Sequence, residues 1–334
     1  MRETDGATDM TQTERHLVCR ILASSGGLYT LRAESAEEGS PIKVGDTVQI
    51  PARGVFRHKG QTPLVGDLAE IRLELAEDGT VDNERGILME RLLERKNELI
   101  RPPMANLDCM LITAAAAKPD PSLLAIDKLT CACVAQNVTP IIIINKCELA
   151  PDTASTLKEV YGGAGFPVFT VSAKEKWGEE ELRGALLELL PDKIAAFAGA
   201  SGVGKSSCLN MLFPDLSLTT SAVSHKTGRG RHTTRAVTLI PTALGEGKSC
   251  YLADTPGFGL LDFENFHFME EDQLIWSFPE FEDKLTKCRY TKCTHTKEEG
   301  CAILEAVEKG EISRSRHESY IVLREELKKN RYKK

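Results

Sequence analysis

Apolar and polar positions alternate in short runs over the first third of the chain, and then the period changes. From His16 to about Asn97 the alternation marks candidate strands at 17–23, 27–33, 47–51, 67–75 and 86–92. Turn signals separate them at Ser25-Gly26-Gly27, Val44-Gly45-Asp46, Val65-Gly66-Asp67 and Asp78-Gly79. About five short strands in some eighty residues predict a small closed barrel of the OB type. Arg101-Pro102-Pro103 breaks this pattern, because consecutive prolines favour extended backbone over helix. Beyond it, apolar runs at 107–113, 139–144, 166–171 and 193–198 read as buried strands. Helical patterns occupy 121–136 and 179–190, and two further strands are expected at 236–240 and 249–253. Strands alternating with helices imply a parallel sheet covered on both faces, with ligands at the strands' carboxyl ends.

That rule directs attention to the residues just after each strand. After 193–198 comes Gly199-Ala200-Ser201-Gly202-Val203-Gly204-Lys205-Ser206-Ser207, of the form G-x-x-x-x-G-K-[ST]. A helix beginning at 208–213 and stopped by Pro214 follows it. Strand, glycine loop and helix N-terminus in that order make an anion site, because free N–H groups and the helix dipole converge there. Asn145-Lys146-Cys147-Glu148 follows the strand at 139–144, and Ser172-Ala173-Lys174 follows the one at 166–171. Arg231-His232-Thr233-Thr234-Arg235 precedes the strand at 236–240, and Asp254-Thr255-Pro256-Gly257 follows the one at 249–253. Near the C-terminus, Cys288-x4-Cys293-x-His295-x5-Cys301 offers three thiolates and an imidazole, which suits tetrahedral zinc. Four protein ligands leave no open position, so the zinc is expected to be structural. A helix is expected at 316–329.

Composition narrows the class. The chain has 334 residues, 41% hydrophobic and 27% charged, the profile of a globular multidomain protein. No apolar run approaches the ~20 residues needed to cross a bilayer, so no membrane partner is expected. Residues 1–15 are polar and acidic and are expected to be disordered. Ten cysteines without a secretory signal point to thiols or metal in a reducing cytosol. A net charge of −7 opposes general nucleic-acid affinity, but basic residues cluster locally. One cluster is Arg53, Arg57, His58 and Lys59, a second is Lys226, Arg229, Arg231, His232 and Arg235, and a third lies in the last twenty residues. These keep an RNA partner open.

Together, the motifs at the strand ends resemble the five motifs of GTP-binding proteins, in which N-K-x-D and S-A-K recognise guanine and D-x-x-G senses the γ-phosphate. Here the two guanine motifs precede the phosphate loop, so the domain resembles a circularly permuted P-loop GTPase. Barrel, permuted domain and Cys-Cys-His-Cys knuckle in one chain resemble the RsgA family of ribosome small subunit-dependent GTPases. The stretches Pro63-Leu64-Val65-Gly66-Asp67, 95–103, 228–234 and 254–258 match that family's pattern. After the tail at 1–15, the resemblance implies an OB-like barrel at 16–100, a permuted α/β GTPase domain at 101–278 and a mostly α zinc-binding domain at 279–334. It implies a cytoplasmic monomer that hydrolyses GTP to GDP with Mg²⁺, and a partner in the small ribosomal subunit and its rRNA during late maturation.

Roles carry over residue by residue. Lys205 would neutralise β/γ-phosphate charge, and Ser206 and Thr234 would ligate Mg²⁺, with Thr233 as the alternative to Thr234. Asp254 would hold the metal through water, Gly257 would offer its N–H to the γ-phosphate, and Asn145, Lys146, Glu148 and Ser172-Ala173-Lys174 would frame guanine. Glu148 departs from the usual aspartate, and Phe258 stands where many GTPases have a water-orienting glutamine. The family is thought to use a histidine, here His232, as the catalytic residue. Rival readings are a GTP-gated RNA-binding protein with incidental hydrolysis, a P-loop kinase or ATPase, and a permuted GTPase of another ribosomal particle.

Overall fold

The computed structural model describes residues 14–51, 61–76, 78–81, 86–100, 102–216, 237–254 and 269–331. The chain divides into two compact units between Arg95 and Lys96.

The first unit is built from β1 (Glu14–Ser25), β2 (Leu28–Ala36), β3 (Thr47–Pro51), β4 (Leu68–Glu74) and β5 (Ile87–Leu92). All pairings are antiparallel: β1 lies between β2 and β4, β3 extends from β2, and β5 extends from β4. The free edges, β3 and β5, curl round to approach each other, as an OB-type barrel requires. Alternation decides which side chains enter. On β4, Ala69, Ile71 and Leu73 point into a core shared with Leu17, Cys19, Ile21 and Leu31, while Glu70 and Arg72 lie between them. Glu14 and Arg15, expected in a disordered tail, are the first residues of β1, paired with Glu74 and Leu73. The ladder there satisfies their backbone groups whatever their side-chain polarity.

Asp67 closes the turn before β4. It is fully buried, accepts the Leu64 N–H at 2.7 Å, and receives two guanidinium N–H groups of Arg95, each at 2.7 Å. This pair gives a structural reason for the Pro63-Leu64-Val65-Gly66-Asp67 motif and for Arg95.

The second unit opens with the hairpin β6 (Glu98–Ile100) and β7 (Pro103–Ala105), which straddles the boundary expected at Arg101. Asn97 fixes its base, with its side-chain amide bonded in both directions to Leu107. The main sheet contains β8 (Cys109–Ala115), β9 (Thr139–Asn145), β10 (Val168–Thr170), β11 (Ile194–Ala198), β12 (Thr238–Gly245) and β13 (Lys248–Asp254). Within this unit the order is β10-β9-β8-β11-β13-β12. Every pairing is parallel except the β12–β13 edge hairpin. Along the chain the strands step outward from β8 to β10, then resume on β8's other side with β11. The order therefore reverses between β8 and β11, where α/β folds place ligands. β8 is buried throughout and β9 is buried beyond Thr139, which explains their nearly continuous apolar runs.

Among the described residues the helices are α1 (Leu123–Ala135), α2 (Pro151–Gly163), α3 (Glu179–Leu189), α4 (Lys205–Leu212), α5 (Ala302–Glu308) and α6 (Arg314–Arg331). The apolar pattern does not predict α2. Its buried residues are only Ala154, Leu157 and Tyr161, a stripe too thin to show a helical period. The C-terminal part, with 3₁₀ segments Leu274–Ser277 and Pro279–Lys287, packs around Phe278, Phe281, Ile303, Tyr320 and Leu323. Cys131 of α1 belongs to the same core, so the zinc-motif region and the α/β sheet share a helix.

Candidate nucleotide site and metal centre

The phosphate-type loop is shaped by its neighbours. Gly199 leaves β11 at φ 141°, and a Cβ there would lie 2.2 Å from the Thr113 carbonyl oxygen of β8. Gly204, at φ 96°, caps α4, and a Cβ there would lie 2.2 Å from Asn145 Nδ2. Both positions therefore demand glycine for conformation and for room. Lys205 opens α4, and its Nζ donates to the Gly199 and Ala200 carbonyls, each at 2.8 Å. Burial lowers its pKa. Val203 is buried, while Ser201, Ser206 and Ser207 are exposed or half-buried at the loop and helix start.

Asn145, at the end of β9, ties this loop to two others. Its Nδ2 donates to the Val203 carbonyl at 2.9 Å, and its Oδ1 accepts the Ala173 N–H at 3.0 Å. Its own carbonyl accepts the Ala116 N–H at 2.8 Å. Lys146 takes a left-handed conformation, φ 62°, and its Nζ donates to the Gly202 carbonyl at 2.6 Å and to the Lys118 carbonyl. Glu148 lies in the short 3₁₀ turn Cys147–Leu149, and its Oε2 is buried without a hydrogen-bond partner among the described residues. Ser172 is buried and its Oγ accepts the Glu175 N–H at 3.2 Å, while Lys174 is exposed. Asp254 ends β13, two strands from β8 on the phosphate-loop side, and is exposed. Thus Asn145, Lys146 and Ala173 are bonded into one cluster with the phosphate loop, and Asp254 stands at the same end of the sheet. His232, Thr233, Thr234, Gly257 and Phe258 lie outside the described residues, as do the basic clusters at 53–59 and 226–235.

One contributor escapes motif reading. The loop after β8, residues 116–121, supplies the Lys118 carbonyl to Lys146, and Pro119 Cδ lies 3.7 Å from the point where a Gly202 Cβ would be. The strand-end rule points to this loop, but it offers a backbone oxygen and a proline ring, neither of which forms a motif.

The metal-type cluster is compact. One ligand atom from each of Cys288, Cys293, His295 and Cys301 lies within 4.8 Å of the others. His295 Nδ1 is 3.5 Å from Cys288 Sγ and 3.4 Å from Cys301 Sγ. Tetrahedral zinc with Zn–S about 2.3 Å and Zn–N about 2.0–2.1 Å gives S···N edges of about 3.5 Å. Geometry and donor set therefore both fit zinc. His295 adopts φ 59° and is buried, and Cys301 is the N-cap of α5. Glu298 braces the loop by accepting the N–H groups of Thr294, Thr296 and Lys297 and the Thr294 hydroxyl. Burial opposes its charge, yet these bonds hold its carboxyl far below the usual range. His317 Nε2 lies 2.7 Å from the His295 carbonyl, and the Tyr320 hydroxyl donates to the Thr294 carbonyl at 3.2 Å, so α6 supports the ligand loop.

Comparison with known proteins agrees with this architecture. A sequence profile of the family described as RsgA GTPase matches residues 92–264, and one described as RsgA N-terminal domain matches 20–81. The small ribosomal subunit biogenesis GTPase RsgA of Bacillus subtilis (strain 168) is 36% identical over 317 residues, covering 92% of this chain and 97% of the relative. The protein of the same description from Halalkalibacterium halodurans is 39% identical over 284 residues, covering 84% and 90%. Among solved structures, YjeQ from Thermotoga maritima superposes with a TM-score of 0.73 at 30% identity, covering 93% of this chain and 98% of that one. YloQ, a circularly permuted GTPase, superposes with a TM-score of 0.72 at 30% identity, covering 96% and 98%.

Proposed function

The chain belongs to the RsgA GTPase family, and on that premise we propose that it hydrolyses GTP as a cytoplasmic, monomeric factor in biogenesis of the small ribosomal subunit. The observation that carries this reading is the bonded cluster at the sheet's carboxyl end, where Asn145 joins the phosphate loop to the Ser172-Ala173-Lys174 turn. In the proposed organisation an RNA-contacting barrel precedes the permuted GTPase domain, and the zinc module follows it.

The chemistry follows from the residues. Lys205, the N–H groups of residues 202–207 and the N-terminus of α4 hold the phosphates. Ser206, Thr234 and Asp254 would hold Mg²⁺, an oxygen-only donor set suited to that hard ion. Bound Mg²⁺ would neutralise charge on the β- and γ-phosphates. Gly257 offers its N–H to the γ-phosphate. Lys146 and Ser172-Ala173-Lys174 frame the base, and Glu148 accepts from guanine's two N–H groups, for which its buried Oε2, unpartnered among the described residues, is chemically suited. Adenine lacks that donor pair, so GTP should outcompete ATP in competition binding, and equal affinities would refute the assignment of Glu148. His232 orients the attacking water, since an imidazole with a pKa near 6.5 can polarise water at neutral pH. Zinc held by Cys288, Cys293, His295 and Cys301 would be structural, since four protein ligands leave no open position.

GTP turnover measured alone, with purified small subunits and with large subunits tests the proposal. Stimulation by small subunits alone, lost in His232→Ala at unchanged nucleotide affinity, is the expected result. Turnover indifferent to small subunits would favour a GTP-gated binding protein instead.

A further inference from the structure

Arg316 of α6 is the bulkiest fully buried side chain among the described residues. Its Nη1 donates to Asp127 Oδ1 at 2.7 Å and to Thr130 Oγ1 at 3.3 Å, both on α1. Its Nε and Nη2 donate to the two carboxylate oxygens of Glu280 at 2.7 and 3.2 Å. The guanidinium carbon sits 4.5 Å from the Phe278 ring centroid, 5.5 Å from that of Phe166 and 5.7 Å from that of Tyr161. The side chains of Arg316, Asp127 and Glu280 are 1%, 1% and 5% exposed. Burial works against the guanidinium charge, and the two carboxylates more than offset it, holding the pKa above its usual range. Nearer the surface, Lys128 of α1 pairs with Glu326 of α6 at 2.7 Å.

A buried ion pair is weak evidence for stability, because hydrophobic replacements often serve as well. What it supplies is geometry: a guanidinium bonded to four oxygens admits little sliding between the elements that carry them. One of those elements, α1, leads directly out of the loop at 116–121. That loop gives the Lys118 carbonyl to Lys146 and sets Pro119 against Gly202. The inner face of the zinc module is therefore joined through one helix to a wall of the nucleotide site.

We infer that Arg316 is a positioning residue for nucleotide binding: by clamping α1 to the zinc module it sets the 116–121 loop against Lys146 and the phosphate loop. This rests on the reading of that cluster as a guanine-nucleotide site. The coupling works in both directions, as linkage requires: whatever seats the zinc module tightens the nucleotide site, and nucleotide stiffens α6.

The test measures GDP affinity by displacement of a fluorescent GDP analogue from wild type, Arg316→Met and Arg316→Lys, each checked for one zinc per chain. Arg316→Met retaining zinc should bind GDP about ten-fold more weakly, and Arg316→Lys should recover part of the loss. Zinc-loaded Arg316→Met with wild-type GDP affinity would overturn the inference. Should Arg316→Met lose its zinc, amide exchange of wild type with and without GDP decides instead. Protection of residues 314–323 alongside the phosphate loop supports the clamp, and protection of the phosphate loop alone refutes it. Wild type that binds no GDP would sink the nucleotide reading itself, which separates the two failures.

Discussion

Asn145 concentrates the site's geometry in one side chain. It is 3% exposed, and its amide satisfies two backbone groups from different loops. Asn145→Ala would strand both, at about 1–3 kcal/mol for each unsatisfied buried group. Equilibrium binding should show at least a ten-fold loss of GTP affinity, of the order that energy implies, and thermal unfolding should shift downward. Gly204→Ala meets two obstacles, the left-handed backbone and the Asn145 amide 2.2 Å away. It should abolish nucleotide binding while cooperative unfolding remains, and measurable GTP binding would show that the loop can shift to make room. At this scale the sequence was most legible where spacing along the chain fixes geometry, as in 199–207 and 145–148. It was silent on Thr113 and Lys118, which act through backbone carbonyls that any residue type possesses.

Elements were legible in proportion to their apolar stripe. β8 and β9 stood out as buried runs, whereas α2, with three buried residues, did not. The hairpin β6–β7 is hidden by the prolines that break the strand pattern: Pro103 pairs with Ile100 across the turn, so the break in pattern is itself paired structure. The barrel's Asp67–Arg95 pair is an element-scale device, since it fixes the turn before β4. Arg95→Met leaves the fully buried Asp67 carboxylate unpaired. Breaking such a pair costs about 3–5 kcal/mol, so the urea midpoint should fall steeply with the slope unchanged. For the metal module, the spacing Cys288-x4-Cys293-x-His295-x5-Cys301 foretold the cluster, but the bracing by Glu298, His317 and Tyr320 needed the fold. Zinc should supply much of this module's folding energy. Chelation should make Cys288, Cys293 and Cys301 titratable with a thiol reagent and reduce helical circular dichroism. An unchanged spectrum after complete zinc loss would show that the core around Phe281 holds without metal.

Across the whole molecule, most of the thiols outside the metal cluster serve as small apolar groups. Burial raises the pKa of Cys19, Cys208 and Cys250 from 9.0 to about 12, and that of Cys109 to about 11. In each case the unfolded chain ionises first. Their contribution is therefore intact below about pH 9 and is lost as pH rises toward 11–12. The urea midpoint should fall between pH 8.5 and about 10.5, and alkylation of the native zinc-loaded protein at pH 8 should spare these four. A flat midpoint would mean that the folded state ionises them freely. Chain order was also legible, because the guanine-type motifs precede the phosphate loop in the sequence. The closing of the C-terminal module onto α1 was not, because the partners of Arg316 lie far away in sequence.

That closure imposes an order of events on a growing chain. α1 is synthesised long before α6, and at about 5–20 residues per second the delay is on the order of tens of seconds. Until α6 emerges, Asp127 has no guanidinium and the core around Cys131 lacks Tyr320, Leu323 and Leu327. The α/β sheet can form in that interval, but one of its helices stays incompletely dressed until the zinc module arrives. A chain truncated before Arg316 would thus carry an uncompensated carboxylate and an incomplete apolar core on the helix that leads from its nucleotide site. Such a product would offer chaperones and proteases a local mark of incompleteness.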